Sequence, residues 1–416
     1  MGADLAMSFG RRPSRVESRP PRVLMTADTV GGVWQYALEL SRALLARGGT
    51  VTLATMGGLP DRGQRREAAE IHGLDLRASR YRLLWMGEPW NDVQAAEDWL
   101  LSIAHEVQPD VVHLNDLGHG DLPWPAPVLT VGHSCVLSWW QAVHGEHAPE
   151  PRWTRYRHRV AAGLHASRLV VAPTRAMLAS LQEFYGPLRA TRVIANGRQP
   201  ISSSSRMGEA DQKTHIPVRT SRQRRSSPAT KMNIIFSAGR VWDQGKNLRA
   251  LAEVAARVPW PVCIAGEQRA PDPGCDGGRT GFPNVRMLGR LDGEALRHWF
   301  DGSSIYALPA RYEPFGLSVL EAAAAGCALV LGDIDSLRET WEGAALFVPP
   351  DDHDALADAL RRLIADDVLC VRCMSRARGR AAYLTPRTMA DAYLDAYGEL
   401  SARHPAAHVH GREVQA

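Results

Sequence analysis

The sequence predicts an α/β protein made of two Rossmann-like domains, each built on a parallel β-sheet, that face each other across a cleft. Short apolar segments alternate with amphipathic ones, which is typical of parallel strands connected by helices. The pattern runs through residues 21–197 and starts again at Asn233. Residues 198–232 are rich in serine and arginine and have almost no apolar periodicity. We therefore expect two domains joined by a mobile basic linker.

The individual elements follow from local patterns of hydrophobicity and turn residues. Apolar runs predict strands in the first domain at residues 22–27, 50–55, 111–114, 127–131, 169–172 and 192–195. In the second domain they predict strands that begin near residues 233, 261, 285, 303, 328 and 345. Helical spacing predicts helices over 33–46, 317–325 and 386–402. Residues 1–20 and 403–416 are expected to form a disordered tail and a frayed end.

Composition excludes several classes of protein. The 416 residues suffice for two cores, and 23% charged with 45% hydrophobic residues is ordinary for a globular protein. The net charge of +4 is small and much of the excess lies in the linker, which argues against nucleic-acid binding. No apolar run approaches the roughly 20 residues that span a bilayer. We expect a cytoplasmic protein; a peripheral contact of the basic linker with the inner face of the membrane is a second interpretation.

The six cysteines indicate neither a disulfide framework nor a metal site. They are scattered and most lie in apolar surroundings, which is typical of a reducing compartment. Cys370 and Cys373 have the spacing of a metal or redox pair, but the segment is arginine-rich and contains no second pair. We interpret both as ordinary residues of a helix and expect no metal.

The most informative segment runs from residue 308 to 326, across a strand, a turn and a helix. It places Glu313 and Glu321 eight residues apart, at the strand end where open α/β sheets bind ligands. Glu321 lies in an Ala- and Leu-rich run, and a buried carboxylate needs hydrogen-bond donors such as sugar hydroxyls. The N–H groups that open the helix could also point at a ligand; they belong to Phe315, Gly316 and Leu317. The alternatives are a glycoside hydrolase pair and two merely structural carboxylates.

Lysine usage singles out a second position. Of 49 basic residues only Lys213, Lys231 and Lys246 are lysines, and the first two fall in the predicted linker. Lys246 opens a predicted helix shortly after the strand that ends near Arg240. A planar guanidinium and a compact ammonium offer complementary ways to hold a diphosphate. The alternative is a lysine that caps a surface turn.

Two features of the first domain are candidates for the opposite wall of the cleft. Gly31 and Gly32 open a predicted helix whose N–H groups could contact a phosphate; a simple tight turn is the alternative. His133 follows the predicted strand 127–131 and is a candidate for the wall of the cleft; the alternative is a histidine that only packs at the strand end. Asn115, Asp116 and His119 end another strand and could line the same cleft.

Aromatic and basic residues cluster after His133. The aromatic and imidazole members are Trp139, Trp140, His144, His147, Trp153 and Tyr156, among Arg152, Arg155, Arg157 and Arg159. Core packing of the tryptophans beside a solvated arginine face is the preferred interpretation. Stacking on the rings of a sugar acceptor and contact with a bilayer surface are the alternatives.

Together these motifs resemble the retaining glycosyltransferases of family four, the group 1 type with the GT-B fold. Glu313 and Glu321 match the family's Glu-x7-Glu pattern, and Gly239-Arg240 with Lys246 matches its diphosphate site. Gly31-Gly32 matches its N-terminal glycine loop. The similarity runs from about residue 21 to 397, apart from a linker that is longer and more basic than is usual in the family.

The resemblance implies a role for each of these residues. The second domain (233–385) would hold a nucleoside-diphosphate sugar, with the base near Leu291 and the ribose hydroxyls on Glu321. Glu313 and the N–H groups of residues 315–317 would contact the sugar or the near phosphate. The catalytic groups would be His133, Arg240, Lys246 and Glu313, with Gly31 and Gly32 completing the donor site. The first domain (21–197) would bind the acceptor, and helix 386–402 would cross back to it.

The implied reaction moves a sugar to an acceptor hydroxyl with retention of the anomeric configuration. The acceptor would be a sugar, a lipid-linked glycan or a small molecule. The first candidate for the base is uridine and the second is guanosine. No cofactor is expected. Two cations already neutralise the leaving group, so no metal is required, and we expect no Asp-x-Asp motif of the kind that holds a metal-bound diphosphate. A nucleotide-sugar epimerase and a catalytically silent scaffold are the alternatives. A sugar phosphorylase fits poorly, because it needs a lysine for pyridoxal phosphate and Lys246 already has a role.

Overall fold

The computed structural model describes residues 19–199, 231–270, 282 and 284–402. The predicted tails lie outside these ranges, apart from residues 19 and 20, and so does most of the predicted linker. Within them the chain forms two parallel sheets, each covered by helices, and the predicted α/β architecture with two Rossmann-like domains is confirmed.

The first sheet has seven strands in the order β3-β2-β1-β4-β5-β6-β7, all in parallel pairs. Its strands are β1 Arg22–Asp28, β2 Thr50–Met56, β3 Leu74–Ala78, β4 Val111–Leu114, β5 Val128–Val131, β6 Leu169–Ala172 and β7 Thr191–Val193. The helices of this domain are α1 Gly32–Leu45, α2 Arg62–Ala69, α3 Trp90–Val107, α4 Val136–His144, α5 Thr154–Ala166 and α6 Arg175–Tyr185.

The second sheet has six strands in the order β10-β9-β8-β11-β12-β13, again parallel. Its strands are β8 Met232–Ala238, β9 Val262–Ala265, β10 Arg286–Gly289, β11 Ser303–Leu308, β12 Ala328–Gly332 and β13 Leu346–Val348. Its helices are α7 Leu248–Val254, α8 Gly293–Gly302, α9 Leu317–Ala324, α10 Asp335–Trp341, α11 His353–Ala365 and α12 Asp367–Ala381, and α13 Pro386–Ala402 follows.

Strand prediction fails at one place, the edge strand β3. Its five residues are half-buried or exposed, and only two of them are leucines, so the segment lacks the apolar run that marks the buried strands. It pairs with β2 from Val51 to Thr55, which shows that the neighbouring strand, not its own composition, specifies it.

Both ends of the predicted linker belong to the folded structure, which corrects the boundaries 198 and 232. Arg198 donates its backbone N–H to Leu384 O and its side chain to buried carboxylates. Lys231 Nζ lies 3.0 Å from Phe300 O, and Met232 begins β8. Lys246 is therefore not the only lysine in a folded segment, and that part of the sequence argument was wrong.

Helix α13 packs on the first domain although it follows the second in the chain. Tyr393 and Tyr397 are buried in the core of the first domain. Ion pairs flank them on the surface, Arg47 with Asp391 and Arg192 with Glu399. Helix α13 therefore adds apolar side chains to a core whose other buried members precede it in the sequence by more than 180 residues.

The described cysteines carry free thiols that are all buried; they are Cys135, Cys263, Cys327, Cys370 and Cys373. Cys275 lies outside the described residues. Within the part of the chain that the structure describes, every helix is too short or too polar to cross a membrane.

The two chain crossings between the domains touch at Gly197. A Cβ atom built there would lie 2.1 Å from the backbone oxygen of Thr385. We predict that Gly197→Ala lowers the free energy of unfolding by about 2 kcal/mol, because backbone on both sides must move apart. Urea unfolding followed by circular dichroism measures the change.

Gly398→Ala is the matched control. Gly398 lies in α13, and a Cβ there meets no atom within 4 Å. Alanine should stabilise this helix by about 0.5–1 kcal/mol. Equal stability of the Gly197→Ala variant and the native protein would show that the contact at the crossing is loose.

Candidate functional site

The polar residues that follow the strands of both sheets meet between the domains. A cavity of about 230 Å³ is lined by Asp28, Asn115 and His133 of the first domain and by Arg240 and Asp243 of the second. A larger cleft of about 1570 Å³ is lined by Gly31, Arg198, Arg240, Leu291 and Glu321, among others. Arg240 lines both spaces and therefore lies where they adjoin.

Asp243 holds Arg240 in this position. Its Oδ2 atom accepts from Arg240 Nη2 at 2.7 Å, and its Oδ1 atom accepts from the Gly245 N–H and from Trp139 Nε1, both at 2.9 Å. Burial opposes ionisation of Asp243, but the charges of Arg240 and Lys246 outweigh it and lower its pKa. The guanidinium also lies 5.2 Å from the ring centre of Trp242.

Lys246 and Glu313 form a second ion pair beneath the cleft. Nζ lies 2.5 Å from Glu313 Oε2, while Glu313 Oε1 accepts from the N–H groups of Gly316 at 2.9 Å and Phe315 at 3.4 Å. These two N–H groups therefore point at Glu313 and not at a ligand, contrary to the sequence prediction. The carboxylate instead fixes the turn between β11 and α9.

Leu317 contributes a side-chain contact between the domains. It packs against the cores of both, and a Cβ at Gly32 would lie 3.2 Å from its Cδ1 atom. The neighbouring Gly31 donates its N–H to Asp28 Oδ1, and a Cβ there would lie 3.3 Å from Arg240 Nη1. The glycine loop thus lets the first domain approach Arg240 and Leu317 closely.

Glu321 has a protein partner that the sequence did not reveal. Arg198 Nε donates to Glu321 Oε1 at 2.7 Å, and Arg198 Nη1 donates to Glu39 Oε1 and Gln35 Oε1, both at 3.0 Å. Burial raises the pKa of Glu39 despite the nearby guanidinium. Arg198 therefore bridges a carboxylate of each domain. The expectation that Glu321 needs sugar hydroxyls to satisfy it was incomplete.

His133 is neutral and has a defined tautomer. Burial lowers its pKa to about 3. Its Nε2 atom lies 2.8 Å from Asn115 Oδ1, and Asn115 Nδ2 donates to Thr26 O, which orients the amide. Because Asn115 Oδ1 can only accept, Nε2 carries the proton and Nδ1 is an acceptor. The ring also packs edge-on against Tyr36, 4.4 Å between centres.

The other residues predicted at the end of β4 divide into two groups. Asn115 and Asp116 line the smaller cavity, whereas His119 lies behind them, with Nδ1 2.5 Å from Asp116 Oδ1. Burial disfavours charge on His119, but the Asp116 carboxylate outweighs it and raises its pKa. His119 thus supports Asp116 from behind.

The aromatic cluster both packs against the first domain and faces the smaller cavity: Tyr156 belongs to a buried core against which Trp140 and Trp153 pack, as the sequence predicted. Its lining members are Trp139, Trp140, His144, Trp153 and Tyr156. The tryptophans are half-buried, and the Tyr156 side chain is almost fully buried. His147 instead packs near Phe184. Of the arginines, Arg155 stacks on Trp90 and Arg159 pairs with Glu97, so these two belong to the domain surface.

The described residues contain no group of three or more His, Cys, Asp or Glu side chains placed to hold a metal ion. The sequence does contain two Asp-x-Asp segments, contrary to expectation, at residues 333–335 and 352–354. Asp333 pairs with Arg338, and Asp352 caps α11 by accepting from the Ala355 N–H. Both segments have structural roles in the second domain.

Fold and site define the chain as a glycosyltransferase of the GT-B fold, and the comparisons with known proteins agree. Residues 30–200 match the family model described as Glycosyltransferase Family 4, and residues 232–366 match the model described as Glycosyl transferases group 1. Together the two models span most of the chain. The protein belongs to the family 4 glycosyltransferases.

Two curated relatives illustrate the range of similarity. The D-inositol 3-phosphate glycosyltransferase of Xylanimonas cellulosilytica is 27% identical, over 94% of this chain and 99% of its own length. The O-antigen chain mannosyltransferase B of Escherichia coli is 29% identical, over 33% of this chain and 38% of its own.

Solved structures share the fold at low identity. Sucrose-phosphate synthase from Thermosynechococcus elongatus superposes with a TM-score of 0.68 at 20% identity, over 92% of this chain and all of its own. Anabaena HepE in complex with UDP-glucose has a TM-score of 0.67 at 16% identity, over 91% of this chain and all of its own.

We predict that His113 makes stability depend on pH. It is fully buried between Tyr36 and Tyr397, and burial lowers its pKa from 6.5 to about 3. The unfolded chain takes up a proton that the folded protein excludes. The contribution of neutral, buried His113 to the free energy of unfolding is therefore complete above pH 6.5 and is lost as the pH falls towards 3. His113→Gln should reduce the slope of unfolding free energy by up to about 1.4 kcal/mol per pH unit between pH 6 and 4.

Urea unfolding at a series of pH values measures the slope. His72→Gln is the control for loss of an exposed imidazole. An unchanged slope in His113→Gln would mean that His113 is protonated in the folded protein.

Proposed function

We propose that this glycosyltransferase moves a sugar from a nucleoside-diphosphate sugar to an acceptor hydroxyl with retention of configuration and without a metal ion. The observation that carries the proposal is the position of Arg240. It lines the smaller cavity together with His133 and the larger cleft together with Glu321 and Leu291. A donor laid along this path would have its base near Leu291, its ribose at Glu321 and its diphosphate at Arg240.

The chemistry requires charge stabilisation on both sides of the breaking bond. As the bond between the anomeric carbon and the diphosphate breaks, negative charge grows on the leaving oxygen and positive charge on the sugar. Arg240 and Lys246 would stabilise the former, each pre-oriented by its own carboxylate, Asp243 and Glu313. The neutral imidazole of His133 would accept a hydrogen bond from a sugar hydroxyl at Nδ1 without adding positive charge.

The choice of nucleotide rests on structural relatives. Anabaena HepE was solved with UDP and with UDP-glucose, which supports uridine as the first candidate; guanosine stays the second. The acceptor is a hydroxyl-bearing molecule in the smaller cavity. Arg198 Nε donates to Glu321 Oε1, so the ribose must share or displace that contact.

We predict that the cations bind diphosphate without metal. Calorimetric titration with UDP, GDP and ADP in the presence of EDTA should show one preferred nucleotide. Arg240→Ala and Lys246→Ala should each weaken its binding by about 10- to 100-fold, because each removes a charge-assisted hydrogen bond. Arg249→Ala is the control, since Arg249 is an exposed arginine whose ion pair with Glu253 lies within α7.

Absence of nucleotide binding in the native protein would contradict the proposal and favour a silent scaffold. Reaction of the donor with water to give free nucleoside diphosphate and the free epimeric sugar, without an acceptor, would favour an epimerase. The anomeric configuration of the product, read by proton NMR, tests retention.

We predict that Glu321 binds the ribose. Glu321→Ala should weaken UDP binding by about tenfold or more. 2′-Deoxy-UDP should bind the native protein more weakly than UDP, and Glu321→Ala should weaken it little further. If Glu321 acts only by positioning Arg198, the variant will weaken both nucleotides equally, and Arg198→Met will reproduce that effect.

A further inference from the structure

The smaller cavity has a wall of tryptophans drawn from both domains. Trp85, Trp139, Trp140 and Trp153 come from the first domain and Trp242 from the second. Trp85 and Trp242 stack across the domain boundary with 6.4 Å between ring centres. Trp140 lies 6.1 Å from Trp139 and 6.5 Å from Trp153. Such surfaces bind flat apolar faces.

The charges around this wall do not favour an anion. Among the described residues that line the cavity, the carboxyl groups of Asp28, Asp116 and Asp243 face two guanidinium groups, those of Arg152 and Arg240. Arg240 is paired with Asp243 and is assigned to the donor diphosphate by the proposed function, and Arg152 stacks on Trp153 at 5.0 Å. The lining therefore has no surplus of positive charge for a phosphate on the acceptor.

From the tryptophan wall and this charge balance we infer that the acceptor is an uncharged molecule with a flat apolar face of one or two rings and a hydroxyl group. The inference rests on the proposed function, which places the reacting sugar between His133 and Arg240 at the inner end of the same cavity. The volume of about 230 Å³ lies below the usual range of roughly 300–1,000 Å³ for ligand pockets, and favours a compact ring over a long chain.

By this inference, the acceptor of this protein differs in charge from the one named for the D-inositol 3-phosphate glycosyltransferase described above. That relative's name specifies a phosphorylated polyol, D-inositol 3-phosphate. Such an acceptor would present a phosphate to indole rings and carboxylates here. Overall similarity of sequence therefore does not transfer the acceptor.

The test is calorimetric titration of the UDP-saturated protein with four probes. They are 4-nitrophenyl β-glucoside (neutral, with a ring), glucose (no apolar ring), 4-nitrophenyl phosphate (charged, with a ring) and octyl β-glucoside (neutral, with a chain). We expect the first to bind at least tenfold more tightly than each of the others. Tighter binding of 4-nitrophenyl phosphate than of the aryl glucoside would overturn the inference that the acceptor is uncharged. Tighter binding of octyl β-glucoside would overturn the inference of a ring and would favour a lipid chain.

A matched pair of variants locates the binding. Trp140→Ala should weaken the aryl glucoside at least tenfold and Trp140→Phe much less, while both bind UDP within twofold of the native protein. Trp260→Ala is the control, because this half-buried tryptophan of the second domain does not line the cavity. Equal aryl glucoside binding by Trp140→Ala and the native protein would overturn the tryptophan wall as the site. If the native protein does not bind UDP, the proposed function is overturned instead.

Discussion

The buried carboxylate of Asp243 fixes both sides of the interdomain site. It accepts hydrogen bonds from Arg240, from the turn at Gly245 and from Trp139 of the other domain. The same two oxygens therefore orient the main cation of the cleft, close the turn that positions Lys246, and anchor one indole of the aromatic wall. A carboxylate buried this deeply is tolerated because each bond replaces one that water would make. Its neighbours on both domains depend on it for their positions.

Further polar contacts join the two domains. Glu339 of the second domain accepts from the first N–H groups of α6, at Arg175 and Ala176. Tyr312 bonds Ser138 and the N–H of Cys135 across the same boundary. Polar interfaces of this kind can separate into water at modest cost, because water replaces the lost partners. These contacts are thus compatible with separation of the domains for substrate exchange.

The sequence predicted the fold well, because buried parallel strands are continuous apolar runs and the turns after β8 and β11 carry recognisable residues. It did not reveal Arg198, which lies 123 residues from Glu321 in the chain and sits at the edge of a segment without periodicity. The acceptor of the Phe315 and Gly316 N–H groups also escaped prediction, since it depends on the rotamer of Glu313. The tryptophans after β5 were visible as a cluster, but only packing decides whether an indole faces a core or a cavity.

The contact between Gly197 and Thr385 has a mechanical consequence. The backbone of residues 197 and 198 lies directly against that of residues 384 and 385, where Arg198 also donates its N–H to Leu384 O. A relative movement of the domains that kept this hydrogen bond would be smallest beside Gly197 and would increase with distance from it.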